Sequence, residues 1–362
     1  MIGSLGIGGS QMMMINLHQA INREQIQFDY VITREDDEAR TQVPIVESLG
    51  GRVFVLPNFN GRNIGEVKSA WSKFFREHPE YRILHSHVRS YASIYIPIAH
   101  KYGVKAIIHS HSTSNGTGIS ALVKKVLQYP LRFQADYFIA CSKEAGEWLF
   151  GKRITKNTKK YHMLQNAIDI SKYECDVQRR KELRKMLGVE GKTVFIHVGR
   201  LHPSKNHSFL IDVFSDIVKQ DNGATLLLVG DGELKGQIEQ KIHEKGLDDK
   251  IALLGARNDV PELLMASDCF LFPSLWEGLP VTVVEAQASG LPCLVSDHIT
   301  NDVFVSELAI KLPIDNGHEV WSQTIRTLPL DRRDVKDDIR KAGFDISVTA
   351  EWITQLYYGL TK

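Results

Sequence analysis

The chain has 362 residues, 43% hydrophobic and 24% charged, with a formal net charge of +1. Those fractions describe a globular protein too long for one ordinary core, so two domains are expected. The near-neutral balance argues against a whole-protein nucleic-acid role, no apolar run reaches the length of a membrane span, and the N-terminus lacks a charged-then-apolar signal pattern.

The chain opens with MIGSLGIGGSQMMMINLHQAI. Gly6, Gly8 and Gly9 read as a flexible loop before an amphipathic helix through Met13, Ile15, Leu17 and Ile21. Such a loop lets a phosphate approach the backbone, although G-x-G-G spacing alone is a weak signal. In a doubly wound domain this loop follows a first strand. Only residues 1–4 precede it, so that strand is read as absent or severely shortened. Strands are then expected over 28–33, 52–56, 83–87, 105–109 and 136–140. Helices are expected over 64–78, which holds Trp71, Phe74 and Phe75, and over 91–102. This alternation predicts a parallel α/β sheet.

Two of these strands end in histidines, His85 and His87 on one, His109 and His111 on the next. Carboxyl ends of parallel strands line ligand crevices, and a histidine there suits a hydrogen bond to a sugar hydroxyl or to developing charge. A structural strand cap is the plainer alternative. Metal binding is weighed below both, because no carboxylate or cysteine adjoins the four. Residues 101–165 hold eleven Lys or Arg against three Asp or Glu. Within them 121–134 interleaves Leu122, Val123, Leu127 and Leu131 with Lys124, Lys125 and Arg132. That pattern suits either a core-facing helix or peripheral contact with an anionic membrane.

Further on, a linker is expected near 168–174 and a charged helix over 177–187. A strand over 193–199 runs into Arg200-Leu201-His202-Pro203-Ser204-Lys205-Asn206, where Arg supplies a bidentate fork for phosphate and Lys a mobile charge. Strands over 225–229 and 251–254, and helices over 234–245 and 260–266, lead to DCFLFPSLWEGLPVTVVEAQASGLPCLVS, residues 268–296. This last stretch reads as a strand over 269–273, a loop, Pro280 at the first helical position, a helix over 281–289 and a strand over 293–296. The helix start offers free N–H groups to an anion, with Glu277 before it and Glu285 inside it. A carboxylate accepts two hydroxyl hydrogen bonds, as a sugar or ribose diol requires. Amides for phosphate flanked by carboxylates for hydroxyls match the order of groups in a nucleotide sugar. Beyond 297 little is legible until 346–360, an apolar-faced helix through Trp352, Ile353, Leu356 and Tyr357. The four cysteines, Cys141, Cys175, Cys269 and Cys293, show no paired metal-ligand spacing and fit a reduced, cytoplasmic setting.

The string E-G-L-P-V-T-V-V-E-A-Q-A-S-G-L-P resembles the E-x7-E signature of the retaining glycosyltransferases of family four, which have the GT-B fold. In family order, the opening loop is similar to G-G-x-E with Gln11 in the last place. NAIDISKY is similar to the Asn-Gly-hydrophobic-Asp segment with Ala167 for Gly, and G-R-L-x-x-x-K-N is similar to the diphosphate clamp. The resemblance implies two Rossmann-like domains facing a central cleft, over 1–167 and 168–345, with a C-terminal helix over 346–362 returning to the first. It implies transfer of a sugar from a UDP- or GDP-sugar to a saccharide or lipid-linked acceptor, with retention and without metal or other cofactor. A bacterial polysaccharide or glycoconjugate pathway is the expected setting. By the same resemblance, Arg200 and Lys205 neutralise the leaving diphosphate, and Glu277 holds sugar hydroxyls. Glu285 holds the ribose, and His109 or His111 contacts the sugar. Gly8, Gly9, Gly278, Leu279, Pro280, Val281 and Arg257 complete the donor set, Arg257 lying where backbone atoms meet the base. An NDP-sugar epimerase of the same fold, or a non-catalytic nucleotide-binding subunit of a polysaccharide assembly complex, are the alternatives.

Overall fold

A computed structural model describes residues 1–6, 9–35, 37–112, 114, 116 and 118–362. The chain divides into two compact units, Met1–Ala167 with Ile346–Lys362, and Ile168–Asp345.

The first unit contains strands β1 Tyr30–Ile32, β2 Val53–Val55, β3 Ile83–Ser86, β4 Lys105–Ser110, β5 Tyr137–Ala140 and β6 Tyr161–Met163. They pair in parallel as β1-β2 and as β3-β4-β5-β6. Residues 1–3 join the two sheets. Ile2 N donates to Val31 O and Thr33 N to Gly3 O on one side, while His87 N donates to Met1 O on the other. The short opening segment therefore does pair as a strand would, over three residues.

The first helix is Gly9–Ala20, so Gly9 opens the helix instead of lying in the loop, and Gly8 falls outside the described residues. A helix over Asp37–Ser48 has no counterpart in the expectations, because Pro44 in its interior breaks the periodic pattern. The expected stretch 121–134 is two helices, Gly118–Gln128 and Leu131–Gln134, separated at Pro130. One core packs Trp71 flat on Tyr95, ring centroids 4.5 Å apart. The other buries Ile2, Leu5, Met13 and Leu17 with Ile353 and Tyr357 of the last helix, Ile346–Thr361. That helix belongs to this unit, and Trp352 stacks on His162 at 3.9 Å.

The second unit holds one parallel sheet of β7 Val194–Val198, β8 Thr225–Val229, β9 Ile251–Gly255, β10 Cys269–Phe272, β11 Cys293–Ser296 and β12 Ala309–Leu312. Their order is β12-β11-β10-β7-β8-β9. The four strands β7, β8, β10 and β11 are buried at every position, as continuous apolar runs in a sheet covered on both faces must be. Edge strand β12 is only partly buried and reads AIKL, which is why no strand is expected there. The segment expected as a linker is ordered. Ile168, Ile170 and Tyr173 sit in this unit's core, and Ile168 bridges Asp345, so the chain enters and leaves this unit side by side.

From β7 the chain winds outward through β8 and β9, then returns to β10 on the other side of β7 and winds out through β11 and β12. The β7/β10 boundary is thus the topological switch point, where open α/β sheets bind ligands beyond the strand carboxyl ends. The opposite end of the boundary is pinned by Asp268. Its carboxylate accepts from Val194 N at 2.7 Å and pairs with Arg180 and Arg184 at 2.5 and 3.1 Å.

Candidate active site

The loop after β7 is built to send a lysine across the switch point. The His202 side chain accepts from Ser204 N at 3.1 Å, capping a tight turn over Pro203–Lys205. Asn206 follows at φ 55°, a left-handed conformation that asparagine tolerates better than most residues. It starts the helix His207–Gln220. Leu275 N donates to Ser204 O at 2.7 Å, tying this loop to the one after β10. Lys205 Nζ then lies 2.7 Å from Glu277 Oε1 and 4.6 Å over the Phe272 ring. The Lys205 and Glu277 side chains are only 13% and 16% exposed. Gly230 keeps the neighbouring loop tight. At φ 140° it approaches Gly199 so closely that a Cβ would sit 2.0 Å from the Gly199 oxygen.

The loop after β10 ends in the helix Val281–Ala288. Pro280 is its N-cap, not its first helical residue, and no side chain caps it; Val283 N donates to Pro280 O at 3.1 Å, which leaves the Val281 and Thr282 N–H groups to a ligand. Two hydroxyls in this region, Ser274 Oγ and Thr282 Oγ1, are buried without a partner among the described residues. Buried donors are normally satisfied, and such orphans point to a ligand or solvent position. Glu285 lies one turn along the helix and is hydrogen-bonded by the Tyr173 hydroxyl; burial raises its carboxyl above the usual value. The same burial, with Glu285 beside it, holds Tyr173 well above the ordinary phenol range, so its O–H stays protonated and donates.

In the first unit, parallel register sets His85 beside Ile107, so His87 comes level with His109. Alternation along a strand puts these side chains on one face. The rings cluster, with centroids 4.9 Å apart for His87–His109, 5.4 Å for His85–His109 and 4.0 Å for His109–His111. His85 Nδ1 lies 2.7 Å from the Tyr357 hydroxyl and His87 Nδ1 2.7 Å from His111 Nε2. Burial drives His85 and His111 down to about 3 and His87 and His109 well below the usual value, so all four are neutral. His109 is fully buried while His111 is partly exposed. Of the two candidates, His111 is the one at the surface.

Residues 178–344 match Glycosyl transferases group 1, and residues 7–172 match Glycosyltransferase Family 4. The putative glycosyltransferase EpsF of Bacillus subtilis (strain 168) is 30% identical over 374 residues, covering 98% of this chain and 94% of that one. The chain belongs to this glycosyltransferase family. The UDP-Gal:alpha-D-GlcNAc-diphosphoundecaprenol alpha-1,3-galactosyltransferase of Escherichia coli is also 30% identical, over 266 residues, 70% of this chain and 68% of that one. Among solved structures, Anabaena HepE in complex with UDP superposes with a TM-score of 0.71 at 19% identity, covering 99% of this chain and 96% of that one. A Rickettsia africae glycosyltransferase reaches 0.76 at 14% identity, covering 100% and 97%. The shared fold is GT-B.

Within this glycosyltransferase, Lys205 and Glu277 meet as an ion pair, and Gly278, Leu279 and Val281 lie between Glu277 and Glu285 along the same loop and helix. Arg200 stands 72% exposed in the Lys205 loop, 3.6 Å from Glu233. The Arg257 side chain is held by Asp259 at 2.5 Å and is not aimed at a ligand by that contact. Sequence reasoning passed over Ser274, Thr282 and Tyr173. Thr282 lies inside the E-x7-E string and Tyr173 closes NAIDISKY, but neither holds a defining position of its motif, and the hydroxyl orphans are visible only once packing removes every other partner.

Proposed function

We propose that this glycosyltransferase moves a sugar from a UDP-sugar to an acceptor hydroxyl with retention of configuration, without a divalent metal. The observation that carries this reading is the Lys205–Glu277 pair spanning the β7/β10 switch point beside an uncapped helix start. A diphosphate arriving there draws the Lys205 charge, meets Arg200 and the first-turn amides, and frees Glu277 to accept from sugar hydroxyls. Positive charge and aimed N–H groups supply what a metal ion otherwise would as negative charge grows on the leaving diphosphate. Glu285, oriented by Tyr173, takes the ribose hydroxyls. His111 or His109 contributes the contact to the sugar. UDP is favoured over GDP because the galactosyltransferase relative names a UDP donor and HepE binds UDP. An acceptor on a lipid diphosphate, in polysaccharide or glycoconjugate synthesis, follows from the same relative.

A thermal-shift screen of UDP, GDP, ADP and their sugars, with and without EDTA, tests the donor site. Stabilisation by UDP and UDP-sugars that EDTA leaves unchanged is expected. No response to any nucleotide, or a response abolished by EDTA, would sink the reading. His111→Ala is expected to cut kcat about 100-fold while leaving UDP stabilisation intact, because it acts on the sugar and not on the nucleotide.

Among the described residues no helix is long and apolar enough to cross a membrane. The helix Gly118–Gln128 nevertheless turns Leu122 and Val126 outward, 63% and 65% exposed, and Phe133 follows at 76%. Lys124, Lys125 and Arg132 flank them. This favours the membrane-contact alternative over a core-facing helix, and we extend the proposal to peripheral binding of an anionic bilayer. In co-sedimentation with phosphatidylglycerol-containing vesicles, Leu122→Ser with Val126→Ser should weaken binding about tenfold. Equal binding of the variant, or none by the parent chain at low salt, overturns it.

A further inference from the structure

Four histidines gather in the first unit, and transfer chemistry employs at most one of them. His109 is 0% exposed, and among the described residues neither of its ring nitrogens has a partner. His85 Nε2, His87 Nε2 and His111 Nδ1 are likewise buried and unpartnered. Leaving one such nitrogen unpaired costs a full desolvation penalty, and leaving five in one cluster is exceptional for a native core. The orphaned atoms are not scattered: His85, His87 and His109 each offer a nitrogen within 4.8 Å of the others.

The partners of the remaining nitrogens are those that prepare an imidazole for a metal. His85 Nδ1 lies 2.7 Å from the Tyr357 oxygen, and in the tautomer that donates Nδ1–H to it the Nε2 lone pair is free. His87 Nδ1 lies 2.7 Å from His111 Nε2, and the tautomer that donates Nδ1–H there does the same for His87. Ligating histidines characteristically give their second N–H to such a partner, which fixes ring orientation and tautomer.

We propose that His85, His87 and His109 form a binding site for a borderline transition-metal ion, Zn²⁺ foremost, with Tyr357 and His111 as orienting partners. All-nitrogen ligation by neutral imidazoles excludes Mg²⁺ and Ca²⁺, which require oxygen ligands, and suits Zn²⁺, Co²⁺, Ni²⁺ or Cu²⁺. Metal–nitrogen bonds of about 2.0–2.1 Å bring tetrahedral ligand atoms to about 3.4 Å of one another, so ring rotations that close the 4.8 Å cluster by at most about 1.4 Å complete it. A solvent oxygen fills the fourth position. The ion's histidine ligands all belong to the first unit, whereas Arg200, Lys205 and Glu277 belong to the second, so metal-independent transfer and metal binding are separate statements. Occupancy by the ion engages His85, His87 and His109 and leaves the sugar contact to His111.

The test uses the untagged full-length chain, stripped with chelator and then titrated with Zn²⁺ against a chromophoric competitor, and with Co²⁺ by visible absorption. About one equivalent of Zn²⁺ per chain at micromolar affinity or tighter is expected, with the intense visible bands of tetrahedral Co²⁺. His87→Ala should weaken binding at least tenfold. Tyr357→Phe, which preserves packing, should weaken it roughly 10–100-fold by freeing the His85 ring. His243→Ala, at an exposed histidine 3.3 Å from Asp248, serves as the surface control and should change nothing. Absence of stoichiometric binding, or binding that both cluster variants leave untouched, overturns the site. The readout contains no nucleotide and no acceptor, so it stands or falls independently of the transfer reaction.

Discussion

Lys205→Ala is expected to lower kcat/KM about 1000-fold and to destabilise the protein at the same time. The catalytic part follows from removing one preorganised positive group from the place where diphosphate charge develops. The stability part follows from Glu277. With side chains 13% and 16% exposed, the pair is largely withdrawn from water, and removing the ammonium strands a carboxylate there. Breaking such a pair costs about 3 kcal/mol, which is roughly 8 °C of melting temperature for a domain of this size. Adding Glu277→Ala to Lys205→Ala removes the stranded charge, so the melting temperature recovers while transfer does not. Kinetics with a UDP-sugar and a thermal melt of the three variants check both parts. Recovery of transfer along with stability would mean that Lys205 acts only through folding.

Glu285→Gln should make the unliganded protein more stable at neutral pH and bind UDP about 10–100-fold more weakly. The sign follows from burial. The folded carboxyl titrates above its ordinary value of 4.5 because desolvation penalises its charged form, with the Tyr173 hydrogen bond offsetting part of that penalty. A group raised in the folded state contributes stability that is fully present below the unfolded value and is lost as pH rises through the folded value. The parent and Gln variant should therefore melt together near pH 4.5 and separate above it, the variant becoming the higher by about 2 °C once the carboxyl has ionised. Nucleotide affinity runs the other way. A carboxylate accepts two hydroxyl hydrogen bonds and an amide oxygen cannot match it, so parent affinity declines as pH falls through the raised value while that of the variant stays flat. Thermal melts across pH 4.5–8 with and without UDP measure both trends. A variant less stable than the parent at pH 8 would show that Glu285 is held for folding and not for a ligand.

Glu285 is the place where local stability and binding pull in opposite directions. A glutamate at a partly enclosed helix position is a poor choice for stability and a good one for binding. Its spacing from Glu277 is legible because a strand, a tight loop and an uncapped helix start must follow one another within a fixed number of residues. The strands β7, β8, β10 and β11 are legible for a similar reason: a parallel sheet covered on both faces demands unbroken apolar runs. Where that demand relaxes, the pattern goes quiet. Strand β12 is an edge with a lysine facing out, the helix over Asp37–Ser48 carries an internal proline, and segment 168–174 looks like a polar linker although three of its side chains enter a core.

Local order along the chain determined the two-domain α/β plan, the loop with Arg200 and Lys205, and the loop and helix with Glu277 and Glu285, because each lies within one strand–loop–helix unit. Pairing across the sheet decided the rest. Lys205 faces Glu277, 72 positions later in the chain and 2.7 Å away, only because β10 lies against β7. Tyr173 reaches Glu285 through the core of the second unit, and Tyr357 reaches His85 through the packing of the last helix. The four histidines become one cluster because β3 and β4 pair in register. Whether a polar atom is satisfied is a property of everything that surrounds it, and that is set by tertiary packing alone.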